Sequence, residues 1–251
     1  MSTTKPSPAE GMTLIEHLVE LRRRLIISVL AVAAGMAVVT VFYDALFDWM
    51  LQPYCEVSDE CSLLQISPLE GFSVRIKVTG YAGVAVAMPV LLWQVWRFVS
   101  PGLYANEKRY AIPFVATALL LFASGAGLAY WTLPRALDFL GTIGGENLTQ
   151  MYSPGNYFQL VTYMMVAFGI GFEFPILLVF LQLAGILETD TLRRGRRYAI
   201  VLITIAVAVI TPSGDPYSLL ALAAPMVVFY ELSIVIGRVL DKRRAAQDPL
   251  G

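Results

Sequence analysis

Four stretches of this sequence, Leu25 to Phe47, Ser73 to Phe98, Tyr110 to Trp131 and Tyr157 to Ala184, are apolar for long enough to cross a bilayer as helices. About 30 Å of hydrocarbon needs roughly 20 helical residues at about 1.5 Å each. Two further stretches are shorter in their apolar part: Tyr198 to Thr211, and Tyr217 to Val239 beyond the Thr211-Pro212-Ser213-Gly214-Asp215-Pro216 turn. The tight turn makes these two a hairpin. The first of them would rise only about 21 Å as a helix, so either the bilayer thins there or a neighbouring protein covers the mismatch. With 57% hydrophobic and 15% charged residues, against about 25% charged in soluble domains, the chain has too little polar surface for a water-soluble globule. A net charge of −1 argues against a nucleic-acid binder. The expected fold is all-α: a single polytopic membrane domain over 1–251, with spans near 25–47, 73–98, 110–131, 157–184, 198–211 and 217–239. A cytoplasmic amphipathic helix over 13–24 precedes them and a cytoplasmic tail over 240–251 follows.

Basic residues set the orientation. Lys5 and Arg22 to Arg24 precede span one; Arg97, Lys108 and Arg109 lie between spans two and three; Arg193, Arg194, Arg196 and Arg197 lie between four and five; Arg238 and Lys242 to Arg244 close the chain. Only Arg75, Lys77 and Arg135 fall on the other side. The positive-inside rule then places both termini in the cytoplasm. Trp49 and Trp131 fall at outer span ends and Trp93 and Trp96 near an inner one, as interfacial aromatic belts require. The apolar run after Leu25 shows no convincing processing site and is read as a retained span rather than a secretory signal.

In that topology Cys55 and Cys61 share the first outer loop, where oxidation is permitted. A loop-stapling disulfide is the preferred reading, with two free thiols as the alternative, because spacing alone does not fix bonding geometry. Two cysteines and the single His17 offer no metal site, and no cofactor is expected.

Before span one, Leu14, Leu18, Leu21 and Leu25 form one apolar stripe, with Glu16, Glu20, Arg23 and Arg24 on other faces. Thr13 and Glu16 fit a capping box. Glu20 has two readings: an i,i+4 salt bridge to Arg24, worth a few tenths of a kcal/mol, or a carboxylate held for a ligand. Glu107 likewise suits the first turn of span three, behind Asn106 as its cap. Both acids fall on the cytoplasmic face, where each has the chemistry to take a guanidinium in a charge-assisted pair. Glu173 lies near the middle of span four, where an unpaired carboxylate costs several kcal/mol. The alternative to a functional role is a protonated acid bonded to a neighbouring helix, near the Gly171 carbonyl that Pro175 leaves without its donor. Pro89, Pro175 and Pro225 are expected to bend spans two, four and six into a concave bundle.

These residues resemble the TatC family, the multispanning core of the twin-arginine protein translocase, from Leu14 to about Leu240. The resemblance is carried by His17-Leu18-Val19-Glu20-Leu21-Arg22-Arg23-Arg24, Pro53, Ser67-Pro68-Leu69-Glu70-Gly71-Phe72, Pro89 with Gln94-Val95-Trp96-Arg97-Phe98, Pro101-Gly102-Leu103-Tyr104-Ala105-Asn106-Glu107, Phe172-Glu173-Phe174-Pro175 and Thr211-Pro212. The paired cysteines and the Asp215-Pro216 turn resemble the actinobacterial branch. The resemblance implies a glove-shaped bundle in the cytoplasmic membrane that receives Arg-Arg signal peptides at Glu20 and Glu107, with Leu21, Arg22, Phe98 and Leu103 at or near the site. It also implies partnership with the single-span TatA and TatB proteins, self-association in a receptor complex, and export of folded cargo driven by the proton-motive force. Pro53, Thr211 and Asp215 are assigned to translocon assembly and Glu173 to the membrane cavity. Ser213-Gly214 interrupts the family's usual Thr-Pro-Pro-Asp turn, and Leu219 stands where a glutamine is usual.

An enzyme is not expected: there is no nucleotide-binding glycine loop, and the only histidine precedes span one. A proton-coupled secondary transporter using Glu173 is the alternative, although the chain's halves show no convincing repeat.

Overall fold

The computed structural model describes residues 14–58, 61–99, 111–145 and 152–247. Among them are nine helices: α1 (Leu14–Val41), α2 (Tyr43–Cys55), α3 (Glu70–Val99), α4 (Ala111–Ile143), α5 (Pro154–Phe172), α6 (Phe174–Leu183), α7 (Thr189–Arg194), α8 (Arg196–Ile210) and α9 (Pro216–Gln247). Five helical segments are long and apolar enough to cross a membrane, over 18–41, 70–98, 112–143, 154–183 and 216–242. The remaining expected span, the fifth, corresponds to α8, whose 15 residues rise about 22 Å, so its shortness is a property of the fold.

The amphipathic segment and span one are a single helix. α1 runs 28 residues without interruption and stops at Val41, short of the Phe47 expected as the end of the span. Phe42 leaves helical geometry and α2 departs as a separate helix. Aromatic packing draws it away: Tyr43 contacts Phe47, Phe47 packs on Phe158 of α5 at 4.5 Å, and the Arg75 guanidinium lies 4.6 Å over the Tyr43 ring. α4 also overruns expectation, continuing past Trp131 to Ile143, because Leu133, Ala136 and Leu137 are fully buried and packing rewards the extra turns.

The prolines act unequally. α3 and α9 carry Pro89 and Pro225 inside unbroken helices, whereas span four divides at Glu173 into α5 and α6. Trp96, expected at an interface, is instead only 4% exposed and packs on Phe114 and Phe180 in a small inner core. The end of α3, the start of α4 and the end of α6 converge there and bury it.

The main core joins α2, α3, α4, α5 and α9 around Tyr54, Val78, Leu133, Tyr157, Phe158 and Ile234. α1 packs on α3 through a backbone crossing in which Gly35 meets Gly83; a Cβ on Gly83 would lie 2.8 Å from the Met36 nitrogen. The opposite face of α1 stays apolar and outward, as a lipid-facing helix requires: Leu18, Leu25 and Val41 are all exposed. Leu18, Leu21 and Leu25 of the leucine stripe are therefore not covered by the described part of the protein. Arg196 pairs with Glu231 at 2.9 Å, tying α8 to α9.

Candidate functional site

Glu20 sits in the first half of α1, and its carboxylate is held by Arg24 one turn later. Arg24 Nε donates to Glu20 Oε1 at 3.1 Å and Nη2 donates to the same oxygen, while Nη1 donates to the Gln94 carbonyl of α3 at 3.3 Å. The intrahelical salt bridge read from the sequence is thus present, and it also reaches across to a second helix. The Arg24 side chain is 12% exposed and that of Glu20 25%, so the acid is the more accessible member. Leu21 and Arg22 beside it are exposed, and Phe98, one turn beyond Gln94, is half-buried at the end of α3. Leu103 and Glu107 lie outside the described residues, as do Thr13 and Asn106, so neither the pairing of the two acids nor either proposed cap is seen here.

Glu173 caps the C-terminus of α5 and the N-terminus of α6. Its backbone N–H turns back to the Ile170 carbonyl at 3.0 Å. Oε1 is buried with no hydrogen-bond partner among the described residues, so the bonded alternative is not seen for that oxygen. The side chain lines a cavity of about 1010 Å³ between α3, α5, α6 and α8, together with Tyr81, Trp96, Tyr163, Ile203 and Met226. Among the described residues lining it, Glu173 is the one charged group.

The connection between α2 and α3 is stapled. Cys55 and Cys61 are joined in a disulfide across six positions, and Tyr54 donates to the Ser62 carbonyl at 3.3 Å. Pro53 is buried one turn from the end of α2 and has no N–H to give the Trp49 carbonyl. Tyr130 of α4 supplies the missing donor at 2.8 Å and stacks its ring on Trp49 at 4.2 Å. Sequence reasoning passed over Glu70, which sits in a noted motif: its carboxylate accepts from Gly155 N at 2.8 Å and Ile66 N at 3.0 Å. A motif acid at the first position of a helix was the available signal.

Thr211 and Asp215 build the α8–α9 turn. Thr211 is buried and returns its hydroxyl to the Val207 carbonyl at 2.7 Å. Asp215, fully buried, accepts from Ser218 N at 2.7 Å and from the Ser213 hydroxyl, capping a helix that opens with Pro216. Gly214 takes a φ of +58° in between, a left-handed conformation glycine adopts without strain. Both residues therefore have structural work in this turn. Also missed was a buried link: Gln182 Nε2 donates to the Ser233 carbonyl at 3.2 Å while its Oε1 accepts from Thr189, joining α6, α7 and α9.

The Sec-independent protein translocase protein (TatC) family matches residues 16–225. A relative from Frankia casuarinae is 40% identical over 246 residues, spanning 93% of this chain and 68% of that protein. One from Aquifex aeolicus is 39% identical over 236 residues, spanning 93% of this chain and 98% of that protein; both are Sec-independent protein translocase protein TatC. A crystal structure of a twin-arginine translocase receptor, TatC, superposes with a TM-score of 0.74 at 38% identity, over 89% of this chain and 99% of that one. With a family match over most of its length and an all-helical fold that superposes on a solved member, this chain is a membrane protein of the TatC family, a component of the twin-arginine protein translocase.

Proposed function

We propose that this chain is the receptor and core subunit of its translocase, binding the Arg-Arg motif of signal peptides at the cytoplasmic face. Glu20 and Glu107 take the two guanidinium groups, and Leu21, Arg22, Phe98 and Leu103 surround the docked segment. The observation that supports this most directly is the Glu20 carboxylate: accessible, fixed by Arg24, and set beside the end of α3. The pattern of basic residues supports six spans, both termini in the cytoplasm and residence in the cytoplasmic membrane. In this reading TatA and TatB assemble on the bundle, copies of the chain associate in the receptor complex, and folded cargo moves at the expense of the proton-motive force. Pro53, Thr211 and Asp215 serve assembly indirectly, by shaping α2 and the α8–α9 turn.

The test is binding of a fluorescent Arg-Arg signal peptide to the full chain in lipid nanodiscs. Glu20→Ala and Glu107→Ala each weaken it by about tenfold or more, the scale of a lost charge-assisted pair. Unchanged affinity in both variants removes the proposed site. The unpartnered Oε1 of Glu173 on its cavity favours one competitor, a proton-coupled solute transporter. Solute uptake by proteoliposomes holding this chain alone would support it.

A further inference from the structure

The guanidinium of Arg24 spends its three nitrogens on two helices: Nε and Nη2 on Glu20 Oε1, Nη1 on the Gln94 carbonyl of α3. An exposed i,i+4 salt bridge does not need the third contact. Gln94 precedes Phe98 by four residues, so the carbonyl and the phenyl ring belong to neighbouring turns on one side of α3. The bridge thereby sets the register between the α1 carboxylate and the α3 face that carries Phe98.

We infer that Arg24 is the positioning residue of the docking carboxylate, holding Glu20 in place so that an incoming guanidinium adds to the pair instead of displacing Arg24. This rests on the docking role proposed for Glu20. Two features carry it. Arg24 is the more buried partner, so its removal from Glu20 would strand a largely desolvated cation, which is strongly unfavourable. Displacing it would also break the Gln94 bond that ties α1 to α3. Lysine cannot substitute: its ammonium is a point charge on a flexible stem and lacks the planar fork that spans both acceptors.

The experiment measures affinity of the full chain in nanodiscs for an Arg-Arg signal peptide and for its Lys-Lys counterpart. The variants are E20Q, R24Q, R24K and E20Q/R24Q, with thermal unfolding followed on each. R24Q is expected to weaken Arg-Arg binding about tenfold and to narrow the preference over Lys-Lys. R24K lies between it and the parent chain. E20Q/R24Q binds no more weakly than E20Q alone, a coupling that simple loss of helix stability would not produce. Should R24Q fail to fold, the several-fold loss in R24K carries the test. Unchanged or tighter binding in R24Q and R24K, or losses that multiply in the double variant, overturn the positioning role while leaving the docking site standing. Unchanged binding in E20Q overturns both.

Discussion

The Tyr130 hydroxyl donates to the Trp49 carbonyl at 2.8 Å, and that carbonyl is the one Pro53 leaves without a helical donor. A proline that by itself weakens α2 thereby creates the acceptor by which α4 latches onto it. The ring stack of Trp49 on Tyr130, with an interplanar angle of 4°, closes the contact. Tyr130→Phe keeps the stack and loses the bond, and is expected to cost about 1 kcal/mol in unfolding free energy. In a Pro53→Ala background, where α2 regains its own donor, the same change costs much less. A double-mutant cycle by denaturant titration in detergent measures the difference; equal cost in both backgrounds would contradict the latch.

Glu70 pins α3, the loop that precedes it and the start of α5 to one another through Gly155 N and Ile66 N. Glu70→Gln keeps one acceptor oxygen and Glu70→Ala keeps neither, so Tm should fall in that order. Equal Tm in the parent chain and both variants would mean that these two bonds do not contribute to stability.

Asp215 is fully buried at the head of α9, its oxygens taken by Ser218 N and Ser213. Asp215→Ala should destabilise the chain by about 1 kcal/mol, the usual value of an N-cap, with Asp215→Asn retaining most of it. Assembly with TatA and TatB should track stability across these variants. If Asp215→Asn folds with parental stability yet loses assembly, the residue contacts the partner directly.

At the α1–α3 crossing the backbones meet at Gly35 and Gly83. Gly83→Val would set its Cβ against the Met36 backbone, and overpacking of this kind costs about 1–3 kcal/mol. The expected result is a lowered unfolding midpoint with the disulfide still formed, read by denaturation together with thiol labelling. Parental stability would show that the helices separate at no cost.

Much of this architecture was legible in the sequence because lipid is a simple solvent: apolar length gives the long spans, and the break in span four falls at Glu173, two residues before Pro175. The short α8 was also visible, since Arg196 and Pro212 bound it directly. What was not legible depends on tertiary packing. The end of α1 at Val41 is set by Tyr43 and Phe47 meeting Arg75 and Phe158, far away in sequence. Trp96 carries the composition of an interfacial residue but lies under Phe114 and Phe180. In the proposed docking site, the Glu20–Arg24 pair followed from helical spacing, whereas the bond to Gln94 needed the fold, 70 residues on.

The account depends most on the acids of the cytoplasmic face meeting the two arginines of a signal peptide. Photo-crosslinkers placed at Leu21 and Leu103 of the full chain in native membranes, which leave both acids in place, test this directly. Both should capture an Arg-Arg peptide, and replacing its arginines with a pair of lysines should sharply reduce capture at each. Absence of capture at both positions, or equal capture of the Arg-Arg and Lys-Lys peptides, would contradict it.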